Sequence, residues 1–440
     1  MNQFLGGKKR VLSLFSGCGG MDLGFEGGFS VPKRSVKDQS WVSDENDGFV
    51  TLKETSFQTV FANDIRPGAK AAWLSYLGTR THLTGVDSAY HLESIVELVK
   101  REWAGESVFP RAVDIVTGGF PCQDFSVAGK RNGLKSHKSH SGKLLDTHED
   151  ATVENRGMLY YWMKEVISIV QPKIFIAENV KGLVSHSNVR EIIEKDFSEI
   201  GDGYLIWPVK VLNAAQFGVP QNRERVLFIG FNKSVINPEI SDLITQEDSS
   251  ICPYPAQTHK LPRETGSILR PHVTVREALD GLAEPEISQD LSQQSYSRAK
   301  WYGRHCQGQT EVDLGGVSPT IRSEHHGNIE FRRLGANHGG RNADELNNGL
   351  LERRLTVREC ARIQTFPDDY HFVLPDNSGK KRFIVSGSEA YKLIGNAVPP
   401  LLAYHVAKRL ESIWDIIFSN YNHDYTEQPL VVSRRVRSLK

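Results

Sequence analysis

Apolar and polar positions alternate between two periods along the chain. Short runs rich in β-branched and apolar residues, VLSLF (11–15), TVFAND (59–64), VDIVT (113–117) and KIFIA (173–177), are separated by stretches of helical period such as HLESIVELVKREW and GMLYYWMKEVISIV. Strands that are apolar throughout, with helices between them, predict a parallel sheet covered on both faces, an α/β fold. VKVLN (209–213) and RVLFIGF (225–231) break the pattern, because AAQFGVPQNRE between them is too short and too rich in Gly and Pro to cross over as a helix. The last strand is therefore expected to run antiparallel to its neighbour. From about 235 to 350 the alternation dissolves into Pro, Ser, Gly, His and Asn, and 30–57 reads as a polar insertion. Regular helices return with LTVRECARIQTF and AYKLIGNAVPPLLAYHVAKRLESIWDIIF.

Composition narrows the class. At 440 residues, 39% hydrophobic and 24% charged, the chain can bury a large core, expected in two domains. Its formal net charge is +0, so any nucleic-acid binding must come from a local patch. In KKRVLSLF the apolar part is shorter than the roughly 7–15 residues of a secretory h-region. No run approaches the roughly 20 apolar residues of a membrane span. The five cysteines (Cys18, Cys122, Cys252, Cys306, Cys360) are scattered, odd in number and without a CxxC pair. That disfavours a disulfide framework and a structural zinc site, and fits a reducing cytoplasm.

In an open α/β sheet, ligands sit beyond the carboxyl ends of the parallel strands. SGCGG follows the first strand, Asp64 the second, GGFPCQ the third and Glu178-Asn179-Val180 the fourth, while the antiparallel strand brings its beginning, QNRER, to the same edge. The glycine turn lets backbone approach a nucleoside cofactor where side chains at Gly17, Gly19 or Gly20 would collide with it; equally, it is a tight connection with no ligand. Asp64 offers two acceptors to a ribose diol, or is an acid at a helix N-terminus ahead of Pro67. Cys122 follows Pro121 where the apolar run ends and a basic, glycine-containing segment begins; a buried inert thiol is the alternative.

LFSGCGGMDLGF, ANDIRPGAKAAW, GGFPCQDFSVAGK, ENVKGL, QNRERVLFIGF, LTVRECARIQTFPDDY and YKLIGNAVPP, in this order, resemble the block series of the DNA cytosine-C5 methyltransferases paired with bacterial restriction systems. The likeness covers nearly the whole chain outside the variable middle. It implies a Rossmann-like sheet domain dependent on S-adenosylmethionine, with a smaller irregular target-recognition domain. Residues 1–235 would form the catalytic and cofactor-binding domain, 236–352 the recognition domain, and 353–440 would return to the catalytic domain.

The resemblance also implies roles. The Cys122 thiolate would add to C6 of a flipped-out cytosine, and Glu178 would protonate or strongly hydrogen-bond N3, a task suited to a carboxyl whose pKa burial raises. Arg225 would hold the O2 edge of the base and Arg223 would position Glu178; alternatively the two arginines form a structural ion-pair cluster with Glu224. The Phe120 carbonyl would accept from the cytosine amino group, with Pro121, Gln123 and Ser126 alongside.

For the cofactor, the likeness implies Phe15 near the adenine or sulfonium, Ser16, Gly17, Gly19 and Gly20 along the methionine, Asp64 on the ribose and Ile65 and Asp87 at the adenine. Asn396 and Ala397 would lie near the methionine carboxylate, or cap the final helix. Asp87 departs from the family, which has Gly-Asp-Ile where this chain has Val-Asp-Ser.

Flipping the base costs a few kcal/mol. Lys130, Arg131, Lys135, Lys138 and Lys143 after Cys122, with Arg156, are suited to clamp phosphates, although a basic run is also an ordinary solvated face. This loop is longer than the family's usual one. In the middle region SPTIRSEHHGNIEFRR offers Thr320, Arg322, His325, His326 and Asn328 for base-edge or phosphate contacts. No metal site is expected. The expected partners are double-stranded DNA and, functionally, a restriction endonuclease, with the enzyme a monomer in the bacterial cytoplasm and no membrane contact. Rivals are an enzyme of the same chemistry acting on transfer RNA and an orphan regulatory DNA methyltransferase. An amino-group methyltransferase would carry an Asp/Asn/Ser-Pro-Pro-aromatic motif, absent here.

Overall fold

The computed structural model describes residues 7–80, 89–121, 159–184, 187–238, 250–266, 268–323, 328–376 and 382–418. The strands of the central sheet and of the insertion, in chain order, are β1 (Lys9–Leu14), β2 (Ser30–Pro32), β3 (Val42–Asn46), β4 (Phe49–Leu52), β5 (Phe57–Asp64), β6 (Tyr90–Leu92), β7 (Ile115–Gly118), β8 (Ile174–Val180), β9 (Tyr204–Ile206), β10 (Lys210–Asn213) and β11 (Glu224–Asn232); Phe331–Arg333 with Arg353–Arg354, and Leu374–Pro375 with Phe383–Val385, form two further two-stranded pairs. The central sheet has the order β10-β11-β8-β7-β1-β5-β6, with β9 pairing to β11. β6, β5, β1, β7 and β8 are mutually parallel, and β11 is antiparallel to both β8 and β10. The expected reversal is therefore present.

Alternate residues of each strand feed two apolar clusters, as a pleated strand requires. Val11, Ile115, Ile174, Ile176, Leu227 and Ile229 join one face with the helices Gly20–Glu26, Pro67–Arg80 and Pro400–Phe418. Leu12, Leu14, Val116, Phe175, Val226 and Phe228 join the other with Ile95–Trp103 and Leu159–Val170. Gly24 brings the first helix against the last: an added Cβ would fall 2.4 Å from the Pro400 carbonyl. No described helix is long and apolar enough to cross a membrane.

Three details differ from the sequence expectation. The helix expected from His91 begins only at Ile95, because Ser94 caps it through Val96 N–H, and Tyr90–Leu92 pairs instead with β5 as an edge strand. The polar insertion is a three-stranded antiparallel sheet, order β2-β4-β3, whose Val31, Val36, Val50 and Leu52 are buried in the main core. The last helical stretch is two helices, Gly387–Asn396 and Pro400–Phe418, broken before the Pro399-Pro400 pair.

The irregular middle carries one short antiparallel pair, Phe331–Arg333 with Arg353–Arg354, and is tied further by buried arginines. Arg354 donates to the carbonyls of Ala299, Lys300, Gly308 and Ile329. Arg353 makes a bidentate pair with Glu359, 2.8 Å on each arm. Glu284 sits between Arg333 and Arg353, whose hydrogen bonds and charges pull its carboxyl down to about 2 despite partial burial. Charge-assisted bonds of this kind fix irregular backbone that has no periodic apolar face.

Candidate active site

The ends of β1, β5, β7 and β8 and the start of β11 form one crevice edge. Antiparallel register sets Arg225 opposite Val180 and Leu227 opposite Glu178. The Arg225 Nε lies 2.7 Å from Glu178 Oε1, and both side chains are about nine-tenths buried. Burial raises the Glu178 pKa, with Arg225 and then Arg223 opposing it. Desolvation outweighs the two positive charges, so this carboxyl holds its proton more readily than an ordinary glutamate.

Arg223 does not pair with Glu178. It is completely buried and donates to the carbonyls of Ile321 (2.9 Å), Gly395 (2.7 Å) and Ala397 (2.8 Å). The expectation that Arg223 orients Glu178 is corrected: Arg225 is the neighbour in contact, and Arg223 joins three chain segments. Strand geometry explains the exchange, since residues two apart share a face but Arg223 precedes the first residue of β11 and turns into the crevice wall.

On β7's side, Gly119 approaches so closely that a Cβ there would lie 2.8 Å from Glu178 Oε2. The Phe120 carbonyl accepts from Asn179 Nδ2 at 3.1 Å, while Asn179 Oδ1 accepts from Val180 N–H at 2.8 Å. Asn179 is thus a site residue that the sequence reading passed over, although it stands within the ENV block. The carboxyl, the guanidinium and an oriented carbonyl make a pocket able to recognise a polar heterocycle edge and deliver a proton. Pro121 closes the described part of this wall; Cys122, Gln123, Ser126, Lys130, Arg131, Lys135, Lys138, Lys143 and Arg156 lie outside the described residues, as do Asp87, His325 and His326.

The glycine turn after β1 carries three left-handed residues, Phe15 (φ 53), Gly17 (φ 55) and Gly19 (φ 77). Ser16 N–H donates to Asn63 O at 2.8 Å, and Gly17 N–H to Asp64 Oδ2 at 3.2 Å. Asp64 Oδ1 accepts from Arg66 N–H at 3.0 Å, so each of its oxygens already meets a protein donor. The glycines are not equivalent. A Cβ on Gly19 would fall 2.5 Å from Leu77 and 2.6 Å from Trp73, and one on Gly20 2.3 Å from the Val398 carbonyl. Protein packing, not a ligand, requires those two. At Gly17 the nearest atom would be 3.7 Å away. Beside this open position Phe15 is half-buried and Ile65 is 44% exposed, an apolar platform at a strand end.

Behind the turn, Asp22 accepts from Ser13 Oγ at 2.5 Å and Trp73 Nε1 at 2.7 Å, and burial lifts its carboxyl to about 6. Cys18 is buried with its thiol pushed up to about 12, mainly by desolvation, which makes it a packing residue. Ala397 lies against Gly20, its Cβ 3.1 Å from the position of an added Cβ there, while Asn396 is exposed. Asn396 does not cap the final helix; Leu401 N–H is met by Thr365 Oγ1 at 3.1 Å.

Thr320 and Arg322 belong to a segment built onto this crevice. Ser318 exchanges backbone bonds with Pro220 and Asn222, and Thr320 Oγ1 donates to Asn222 O at 2.6 Å. Arg322 is half-buried, its backbone against Gly395. Gln221 and Gln364, both fully buried, complete the junction and were not singled out from sequence. Among the described residues no group of three or more His, Cys, Asp or Glu could hold a metal ion.

Comparison with known proteins agrees with this geometry. The chain is 32% identical over 98% of its length, and 88% of the relative's, to the Type II methyltransferase M.BspRI of Lysinibacillus sphaericus. It is also 32% identical to M.BsuRI of Bacillus subtilis, covering 93% of this chain and 80% of that one. The solved structure of S. pombe Dnmt2 methyltransferase shares the fold, with a TM-score of 0.51 at 16% identity over 92% of this chain and 99% of that one. Residues 9–412 match the C-5 cytosine-specific DNA methylase family. With sheet, crevice and chain-long match in agreement, this protein belongs to the C-5 cytosine-specific DNA methylases.

Proposed function

We propose that this methyltransferase acts on C5 of a flipped-out cytosine in a specific double-stranded DNA sequence, through a temporary bond between Cys122 and C6. The observation that carries the reading is Glu178, buried at the crevice edge with its pKa raised and its Oε1 on Arg225. Addition of the Cys122 thiolate to C6 pushes charge toward N3, and a carboxyl that keeps its proton neutralises that charge. C5 then becomes nucleophilic. Once C5 carries the methyl group, a base removes the C5 proton, the electron pair expels the thiolate from C6, and N3 returns its proton to Glu178, restoring the aromatic ring. Arg225 is suited to hold O2 while it anchors Glu178, and the Phe120 carbonyl, aimed by Asn179, is suited to accept from the cytosine amino group.

The residues present fit S-adenosylmethionine, which supplies an electrophilic methyl group when bound. Gly17 leaves room where a side chain would stand, Ile65 offers an exposed apolar face, and Phe15, Ser16, Asp64 and Ala397 surround the same turn. Asp87 and Asn396 remain proposed contacts. Lys130, Arg131 and Arg156 would grip phosphates to offset the flipping cost of a few kcal/mol. Residues 236–352 would read the sequence, Thr320 and Arg322 among them. The names of the Type II relatives support a role in protecting host DNA from a paired endonuclease. The enzyme would act as a monomer.

Incubation of unmethylated duplex with labelled S-adenosylmethionine, followed by bisulfite sequencing, is expected to show one methylated cytosine per strand of a short site. A duplex carrying 5-fluorocytosine is expected to stall as an adduct on Cys122, because fluorine cannot leave as a proton does. An adduct on another residue, undiminished transfer by Cys122→Ala, or label only on transfer RNA would overturn the proposal.

A further inference from the structure

Two buried amides connect the two sides of the crevice. Gln221 Oε1 accepts from Ile321 N–H at 3.2 Å, and Gln221 Nε2 donates to Gln364 Oε1. Gln364 Nε2 in turn donates to the carbonyls of Ala397 (2.7 Å) and Ile394 (3.3 Å). All donors in this chain point one way, from Ile321 toward Ala397, so each bond polarises the next. Arg223 spans the same ends in parallel, reaching Ile321 O and sharing the Ala397 carbonyl with Gln364. Ala397 packs on the glycine turn through Gly20, and two residues after Arg223 stands Arg225 on Glu178.

The two amides and Arg223 are sealed from solvent, each 0% accessible, and only Ala397 at the far end is half-buried. In a close-packed interior a shift of Ala397 cannot be absorbed by solvent; it must move the amides or leave a carbonyl without a donor. We propose that Gln364 is a positioning residue that couples the methyl-donor side of the crevice to the base side, so that filling one favours the ordered form of the other. This rests on the function proposed above. Gln364 touches neither substrate; it acts through Ala397 and, by way of Gln221, through the segment that bears Arg223 and Arg225.

The test is the dissociation constant of S-adenosylhomocysteine, measured by calorimetry with and without saturating cognate duplex. For the wild-type protein the ratio is expected to fall within the roughly 5- to 150-fold range of coupled sites. In Gln364→Met the ratio falls near unity, and the double variant Gln221→Met/Gln364→Met is no worse than either single one, because the pair acts as a unit. Gln364→Glu retains shape. Its neutral carboxyl can donate to Ala397 and accept from Gln221, whereas the ionised form repels the carbonyls. The ratio in Gln364→Glu is therefore lost as pH rises through the carboxyl's pKa and restored as it falls. A ratio of one in the wild type, an unchanged ratio in Gln364→Met, or a pH-independent ratio in Gln364→Glu overturns the inference. Failure of the wild type to methylate DNA sinks the functional reading and this inference with it; methylation with an unchanged ratio in Gln364→Met sinks this inference alone.

Discussion

Replacing Glu178 by Gln is the sharpest perturbation of the proposed chemistry. Gly119 leaves the room beside Oε2 that a Cβ there would take, and Gln preserves both the shape and the acceptor 2.7 Å from Arg225 Nε. An amide can still donate a hydrogen bond to N3, but it cannot transfer a proton. A positioned general acid contributes about 10²–10⁴ in rate, and the surviving hydrogen bond keeps the loss near the lower end, about 3 kcal/mol of barrier. Single-turnover methylation under saturating enzyme isolates that step, with DNA affinity and melting temperature expected close to wild type. The pH profile separates the two groups. The wild-type rate rises as Cys122 ionises and falls as pH climbs through the raised pKa of Glu178; Glu178→Gln keeps the first limb and loses the second. A rate within about threefold of wild type, well short of a general acid's usual contribution, would refute the reasoning. So would an alkaline decline that survives in the variant.

Arg223→Met leaves buried carbonyls at Ile321 and Gly395 without this donor and is expected to cost about 3 kcal/mol or more in urea unfolding. Gly20→Ala drives a methyl group into the Val398 carbonyl and lowers the melting temperature, at about 1–3 kcal/mol. Gly17→Ala brings its methyl only into ordinary contact with Arg66, so its fold loses only the roughly 1–2 kcal/mol of a left-handed residue while S-adenosylhomocysteine affinity, read by calorimetry, falls further. Asp22 has a folded-state pKa of about 6 against an ordinary 3.8, so the stability it contributes is present at low pH and lost as pH rises through about 6. Asp22→Asn removes that dependence, and denaturant titrations from about pH 4 to 7 should show the wild-type curve falling by about 3 kcal/mol more than the variant's.

The sheet was legible because buried parallel strands write themselves as apolar runs, and Val11–Leu14 and Ile174–Ala177 did so without interruption. The strand-end rule then collects Glu178, Arg225 and the glycine turn at one edge from the sequence alone. What escaped was set by partners distant in sequence. Nothing local in SGCGG separates Gly17, where an added Cβ would meet only Arg66 at 3.7 Å, from Gly19 and Gly20, where it would run into Trp73 and Val398. Arg223 and Arg225 look alike in QNRER, and only the backbone of residues 321, 395 and 397 decides which one is spent on carbonyls. The β2–β4 insertion hid its apolar residues one at a time among polar neighbours, and the middle region folds on arginine bonds that no periodicity records.

The backward course of β11 has a consequence for how such a protein could be re-engineered. Because the strand enters at the crevice and exits at the opposite rim, polypeptide grafted beyond Asn232 lengthens the chain away from Arg225 and leaves its alignment with Glu178 untouched. A transplanted reading module would need to reproduce its seams with the sheet domain, among them Ser318 beside Pro220, Ile321 beneath Arg223, Thr258 and His259 on the Gln216 carbonyl, and Glu277 on Arg34. If residues 236–352 read the DNA as proposed, specificity would be hardware on a chassis whose tolerances are set elsewhere.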